Sequence, residues 1–363
     1  MNQKTAILLR LALRTAVFLL AIGVLVREAA CVRTTVPADK PPETGTQPTA
    51  PKVYTAFAFD TKCSLVLWGD EKAADAAATA AIQLLGQLHA TLNRYDPASE
   101  LARFNAAPAN IPFACSDSLW NAFDAARTAW RQTDGVFDVT IGPLMAFWKH
   151  AAATPDQPPD TAAREEAQRR VGFEKLLLDD AAHTVTKTAD GMSVDFGGLA
   201  KGLAIDLVRP EIARAGIFRM MLDFGGNLFL EDPNDRPDSG EVRIRDPRAG
   251  DHTSGKMLGT LTDANHRCVA TSANSERPLA TGARPIGHIM DPRTGQPADA
   301  LEQVTVVTPR GVDSDVFSTA VFIDGPDLAR KLAEQCPATG FVLLPTAEPP
   351  YAIGDAVLKP YSE

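Results

Sequence analysis

The chain has no Cys-x-x-Cys pair, no Gly-x-Gly-x-x-Gly fingerprint, no Walker loop and no internal repeat. The first absence excludes zinc ribbons and dithiol redox centres. The next two exclude the standard phosphate loops of dinucleotide-binding and P-loop folds. The last excludes solenoids and propellers. Positive charge is also scarce. The net charge is −9, and Lys4, Arg10, Arg14, Arg27 and Arg33 against Glu28 give the N-terminus +4, which leaves −13 on the rest. A body this acidic repels a phosphate backbone and excludes a nucleic-acid partner. Cysteines number five: Cys31, Cys63, Cys115, Cys268 and Cys336. Without Cys31 an even four remain, which either pair in an oxidising compartment or stay as buried thiols.

What is present is ordinary globular composition, 45% hydrophobic and 22% charged over 363 residues, enough for one large domain or two interlocked ones. The marked apolar run, Ala16 to Val26, has eleven residues behind a basic start, which fits the apolar part of an export signal. As a helix it would span roughly 16 Å, against a membrane core of about 30 Å. Counting back to Ala6 reaches 21 residues only if Arg10 and Arg14 snorkel to the interface. Ala29-Ala30-Cys31 resembles a bacterial lipoprotein cleavage site, with Glu28 where Leu is usual. Lipidation at Cys31, an uncleaved anchor and simple secretion all put the body outside the cytoplasmic membrane. Residues 1–31 are thus expected to be signal or anchor, 32–52 a Pro/Thr-rich linker, and 53–363 the folded body.

Within the body, Cys63 to Trp68 reads as a strand and Asp70 to Leu92 as an Ala- and Leu-rich helix. Helices are expected at Ser118 to Thr133, Arg164 to Val171, Asp315 to Ile323 and Asp327 to Gln335, with a Pro-rich loop at Ala151 to Thr161. A strand, turn and helix are expected across SVDFGGLAKGLAIDLV, and a hairpin at Arg219 to Glu231 around Gly225 and Gly226. Short strands are expected at Glu241 to Arg245, Lys256 to Thr262, Val269 to Ser272, Val304 to Thr308 and Gly340 to Leu344. Hairpins mixed with helices argue for an α+β fold rather than a doubly wound sheet.

Three stretches carry chemistry. In DSDVFSTAVF, Asp315, Ser318 and Thr319 share a helix face, with Asp315 read as the N-cap. One carboxylate and two hydroxyls suit Mg²⁺, which shares its sphere with phosphate, although Asp or Ser before an apolar run is also routine capping. In DFGGLAKG, Gly197 and Gly198 let a ligand approach the backbone, and Lys201 projects from the first helical turn; a tight turn with a solvated lysine reads equally well. Asp195 could accept hydrogen bonds from a base or ribose. In GHIMDPRTG, His288 can act as a general base ahead of a turn whose Asp, Pro and Gly structure alone would explain. The other histidines lie in unremarkable contexts. Tyr95 and Phe137, in RYDPASELARFN and GVFDVTIGP, offer aromatic faces for a planar ring or side chains for the core.

In order, YDPASELARFN, GVFDVTIGPLMAFW, VDFGGLAKGLAIDLV, LDFGGNLFL, TSANSER, HIMDPRTGQPA and SDVFSTAVFIDGP resemble the successive signatures of the ApbE family, the FAD:protein FMN transferases, from about Phe59 to Leu344. The resemblance implies an ApbE-like, two-lobed body. It also implies a Mg²⁺-dependent reaction in which FAD is split and FMN is attached by a phosphoester to a threonine of an acceptor protein, releasing AMP. By motif match, Asp315, Thr319, the Gly198 carbonyl and Ser318 would serve the metal, and His288 would be the base. Phe59, Tyr95, the Val136-Phe137-Asp138 segment, Asp195, Lys201 and Ile289 would contact FAD. The implied acceptor is a subunit of a membrane electron-transfer complex, and the implied location is the cell envelope. TSANSER departs from the family's TSGDYER at Asn274 and Ser275, which leaves any role of those two side chains open. The same site with water as acceptor would be an FAD pyrophosphatase. Without chemistry it would be an exported flavin-binding protein.

Overall fold

The computed structural model describes residues 50–154, 156–249, 256–274, 279 and 286–361. The export segment, Cys31, most of the linker, and Ser275, Glu276 and Arg277 lie outside them. Among the described residues the chain forms sixteen strands and eight helices. The strands are β1 (Lys52–Ala58), β2 (Thr61–Trp68), β3 (Phe113–Ala114), β4 (Leu176–Asp179), β5 (Thr184–Lys187), β6 (Arg219–Phe224), β7 (Asn227–Glu231) and β8 (Val242–Arg245). They continue as β9 (Met257–Thr262), β10 (Arg267–Ala273), β11 (Met290–Asp291), β12 (Gln296–Pro297), β13 (Gln303–Thr308), β14 (Gly340–Leu344), β15 (Tyr351–Gly354) and β16 (Val357–Pro360). The helices are α1 (Glu71–Leu92), α2 (Glu100–Ala106), α3 (Asp117–Gln132), α4 (Gly142–Ala153), α5 (Thr161–Arg169), α6 (Ala200–Arg214), α7 (Gly311–Asp324) and α8 (Pro326–Gln335).

One eight-stranded antiparallel sheet, in the order β1-β2-β6-β7-β10-β13-β14-β15, organises the body, so the fold is α+β as the hairpins imply. Its helix face takes Leu65, Leu222, Phe224 and Phe229 against Ala77, Ala81 and Leu85 of α1 and Ile205, Val208 and Ile212 of α6. Further along, Val304, Val306, Phe341 and Leu343 pack against Val316, Phe317, Ala320 and Val321 of α7. Each large apolar side chain buried this way contributes about 1.5–3 kcal/mol. A second sheet, β16-β9-β8, covers part of the other face, where Ile244 and Leu261 meet Leu230, Val269, Val307 and Val342. Double coverage explains why every residue of β13 and β14 is buried, while β1, an edge strand, alternates between part-buried and exposed.

Local chemistry sets the helix starts. Asp70 caps α1 by accepting from the Ala73 N–H at 3.0 Å, and Ser99, Ser116 and Asp160 cap α2, α3 and α5 in the same way. Some sequence expectations change. No strand forms at Ser193 to Phe196, which is extended and touches Ile141 through one isolated bridge. Helix α7 begins at Gly311, so Asp315 lies inside it and is not its N-cap. Cys63, Cys115 and Cys268 are free thiols. Burial pushes the Cys63 thiol up to about 11 and the Cys115 thiol up to about 12. No described helix is long and apolar enough to cross a membrane.

Candidate active site

A cavity of about 520 Å³ opens where the β1–β2 turn, the end of α1 and the starts of α4 and α6 surround the middle of α7. That volume lies in the usual range for small-molecule sites. His288, Ile289, Phe59, Tyr95, Val136, Phe137, Asp138, Asp195, Lys201, Gly198, Asp315 and Thr319 all line it. Ser318 does not; it is buried behind the wall, and Ser272 faces the cavity instead.

The floor is built by the contact of α6 with α7. A Cβ at Gly202 would sit 2.1 Å from the Gly311 carbonyl, and one at Gly311 would sit 2.4 Å from the Gly202 carbonyl, so the helices meet backbone to backbone. This closeness lets the Asp315 carboxylate accept the Gly202 N–H at 3.0 Å and the Lys201 ammonium at 3.3 Å. The first turn of α7 is closed by a carboxylate from α6: Asp206 accepts the Gly311 and Val312 N–H groups at 2.7 and 3.0 Å. Those N–H groups are therefore already satisfied, and Asp206 occupies the anion position of this helix start. Ser318 donates to the Asp315 carbonyl at 2.9 Å, and the Ser272 and Ser318 hydroxyls are 2.9 Å apart.

Gly198 faces Thr319 so closely that a Cβ there would come 3.3 Å from the hydroxyl oxygen and 3.1 Å from the Phe137 ring. The Asp315 carboxylate, the Thr319 hydroxyl and Gly198 all line the cavity, and the donors they would offer a metal are oxygens. No cluster of three or more His, Cys, Asp or Glu suited to a metal occurs among the described residues. A set with one carboxylate fits Mg²⁺, which takes few protein ligands and completes its sphere with water and phosphate.

The walls are aromatic and apolar. Phe59 and Asp60 form the two-residue β1–β2 turn with φ of 53° and 56°, a left-handed conformation that costs non-glycine residues energy. The Phe59 N–H donates to Nδ1 of His89 at 3.1 Å, and the two rings meet edge to face. His89 also lines the cavity, so its context is not the unremarkable one its sequence suggests. Phe137 is core as well as wall, whereas Tyr95 is exposed at the rim under the Lys149 ammonium, 4.2 Å from its ring centre. Asp195 is paired with Arg94 and also accepts the Gly197 N–H at 2.8 Å. Asp138 accepts from the Thr140 N–H and hydroxyl and from the Phe173 N–H, which leaves its side chain committed to the protein. Burial raises its pKa, and those donors only partly offset the shift.

The DPRTG turn fixes the segment after His288. Asp291 accepts from the Arg293 N–H and Nε, the Gly295 N–H donates to the Asp291 carbonyl, and Trp148 Nε1 donates to the Gly295 carbonyl at 2.9 Å. Arg94, His89 and Ser272 were missed from sequence. Adjacency to Tyr95 was the available signal for Arg94, and the TS of TSANSER for Ser272.

An α+β body thus brings the Asp315 carboxylate, hydroxyls and a lysine together beside aromatic walls. The chain belongs to the ApbE family, whose model matches residues 59–343. It is 29% identical over 296 residues to the FAD:protein FMN transferase of Treponema pallidum, covering 76% of this chain and 80% of that one. It is 26% identical over 257 residues to that of Haemophilus influenzae, covering 69% and 73%. Among solved structures, the flavin transferase ApbE from Vibrio cholerae superimposes with a TM-score of 0.71 at 23% identity, covering 86% of this chain and 98% of that one. The ApbE protein of Thermotoga maritima gives 0.69 at 25% identity, covering 81% and 94%.

Proposed function

We propose that this protein is a Mg²⁺-dependent FAD:protein FMN transferase that esterifies an acceptor threonine with FMN and releases AMP. The observation that carries the reading is the meeting, in one cavity, of residues scattered from Phe59 to Thr319 in a chain whose relatives bear that activity in their names. In the reaction the threonine oxygen forms a bond to the FMN-side phosphorus as the bond from that phosphorus to the AMP oxygen breaks. The threonine proton passes to His288, since a hydroxyl is a weak nucleophile without a base. Asp315, Thr319 and the Gly198 carbonyl would hold Mg²⁺, which when bound offsets charge on the phosphoryl oxygens. Lys201 adds a second positive charge on the same floor. Phe59, Tyr95, Val136, Phe137 and Ile289 would enclose the ring systems, and Arg94 would hold Asp195 for its contact with FAD.

The test is incubation of the protein with FAD, Mg²⁺ and a peptide bearing a flavinylation threonine. Mass spectrometry should find a peptide carrying FMN, with equal AMP, and chelation with EDTA should abolish both. AMP and free FMN without modified peptide would indicate a pyrophosphatase. Intact bound FAD would indicate a binding protein. We also propose a cell-envelope location, resting on the basic, apolar and Cys31 features of the N-terminus, with an electron-transfer subunit as acceptor. Recovery of the protein in the soluble cytoplasmic fraction would overturn the location.

A further inference from the structure

We propose that Asn227 is a substrate-binding residue of this site, its side-chain amide donating to a phosphoryl oxygen of the dinucleotide; the assignment rests on the functional reading above. Asn227 is 3% exposed, and its Nδ2 has no acceptor among the described residues. A buried amide donor without a partner costs about 1–3 kcal/mol, so such a group is retained where something else satisfies it. Asn227 lines the cavity, which supplies the direction from which an acceptor can come.

Its position argues for the phosphoryl end over the ring end. Asn227 opens β7 directly after the Gly225-Gly226 turn, whose φ values of 63° and 90° and whose Asp223–Gly226 hydrogen bond hold it rigidly. The β7–β10 ladder ends at Leu228–Val269; Asn227 lies one residue past that end on β7 and Ser272 three residues past it on β10. Ser272 in turn touches Ser318 and Thr319 of α7. From the other side, Asn227 pairs across the hairpin with Phe224, which is also the partner of Cys63 on β2. Lys201 lines the same cavity as Asn227. Asn227 therefore lies beside the strand that carries Ser272 to the α7 hydroxyls, in the cavity that Lys201 also lines.

The experiment titrates FAD, ADP and riboflavin onto the full-length wild-type protein and onto Asn227→Ala and Asn227→Asp, with thermal melts to confirm folding. ADP carries the phosphoryl groups without the flavin, and riboflavin the flavin without phosphate. Asn227→Ala should weaken FAD and ADP by about ten- to a hundredfold, the scale of a hydrogen bond to a charged group, and leave riboflavin unchanged. Asn227→Asp should weaken both nucleotides further, because an acceptor of like charge then faces the phosphate. If one variant fails to fold, the other decides. Equal losses for ADP and riboflavin, or no loss for either, would overturn the assignment. A wild type that binds ADP but not FAD would sink the functional reading and leave Asn227 to be judged on ADP. A wild type that binds neither would overturn both.

Discussion

Arg94 and Asp195, 101 positions apart in the chain, form an ion pair at 2.6 Å in the cavity wall, with side chains only 15% and 17% exposed. The pair ties the end of α1 to the segment that leads into α6. Partial burial weakens solvent screening, so loss of one partner strands the other's charge.

Arg94→Ala should therefore lower stability by about 1–3 kcal/mol, and Arg94→Lys should recover part of it. Urea denaturation of the two variants measures this. An alanine variant as stable as wild type would mean that the pair is screened after all.

Asp315 behaves differently from the surface cap that its sequence suggests. It is 4% exposed and accepts from both Gly202 and Lys201. Asp315→Ala should cost about 1–3 kcal/mol as well as activity, because it strands a buried N–H and a lysine. Asp315→Asn keeps an acceptor for Gly202, so it should retain more stability yet still lose Mg²⁺-dependent turnover by about a hundredfold. Parallel melts and AMP-release assays separate the two effects. Full turnover in the asparagine variant would remove Asp315 from the metal site.

His288→Ala should leave FAD affinity within about twofold while slowing threonine modification by about 10²- to 10⁴-fold, the usual contribution of a general base. Flavin fluorescence titration and peptide mass spectrometry give the two readouts. Unchanged transfer would eliminate it as the base.

His266 precedes β10, is not among the residues lining the cavity, and gives a clean pH signature. Burial pulls its imidazolium pKa down, but the Glu231 and Asp235 carboxylates outweigh that, and the net shift is upward. A folded pKa above the unfolded value stabilises the protein fully below about pH 6.5 and loses its effect as pH rises through the folded value. His266→Asn, which tolerates the residue's φ of 60°, should therefore destabilise at pH 6 and be nearly neutral at pH 9. Denaturation midpoints across that range decide it, and a constant difference would contradict the linkage.

The sequence exposes what is built locally. The Asp70 cap and the Ala/Leu period mark α1, and the paired glycines mark the β6–β7 hairpin, because each signal lies within a few residues of its effect. The family signatures bring all but one of the expected site residues to one cavity. What stays hidden depends on distant partners. The start of α7 is displaced from Asp315 to Gly311 because its capping acceptor, Asp206, comes from another helix. Helix α4 escapes notice because it opens without a side-chain cap and runs into the Pro-rich loop, whose expected first residues it absorbs. His89 and Arg94 gain their places only through Phe59 and Asp195, which the fold brings alongside.

The backbone contact of Gly202 with Gly311 bears on redesign. The spacing between Lys201 and Asp315 is set by main-chain atoms that no rotamer change can move. Core repacking elsewhere in α6 or α7 should leave that spacing intact, and a side chain at either glycine would break it. Attempts to broaden the range of accepted dinucleotides therefore belong on Phe59, Tyr95 and Ile289, whose elements can vary without disturbing the floor.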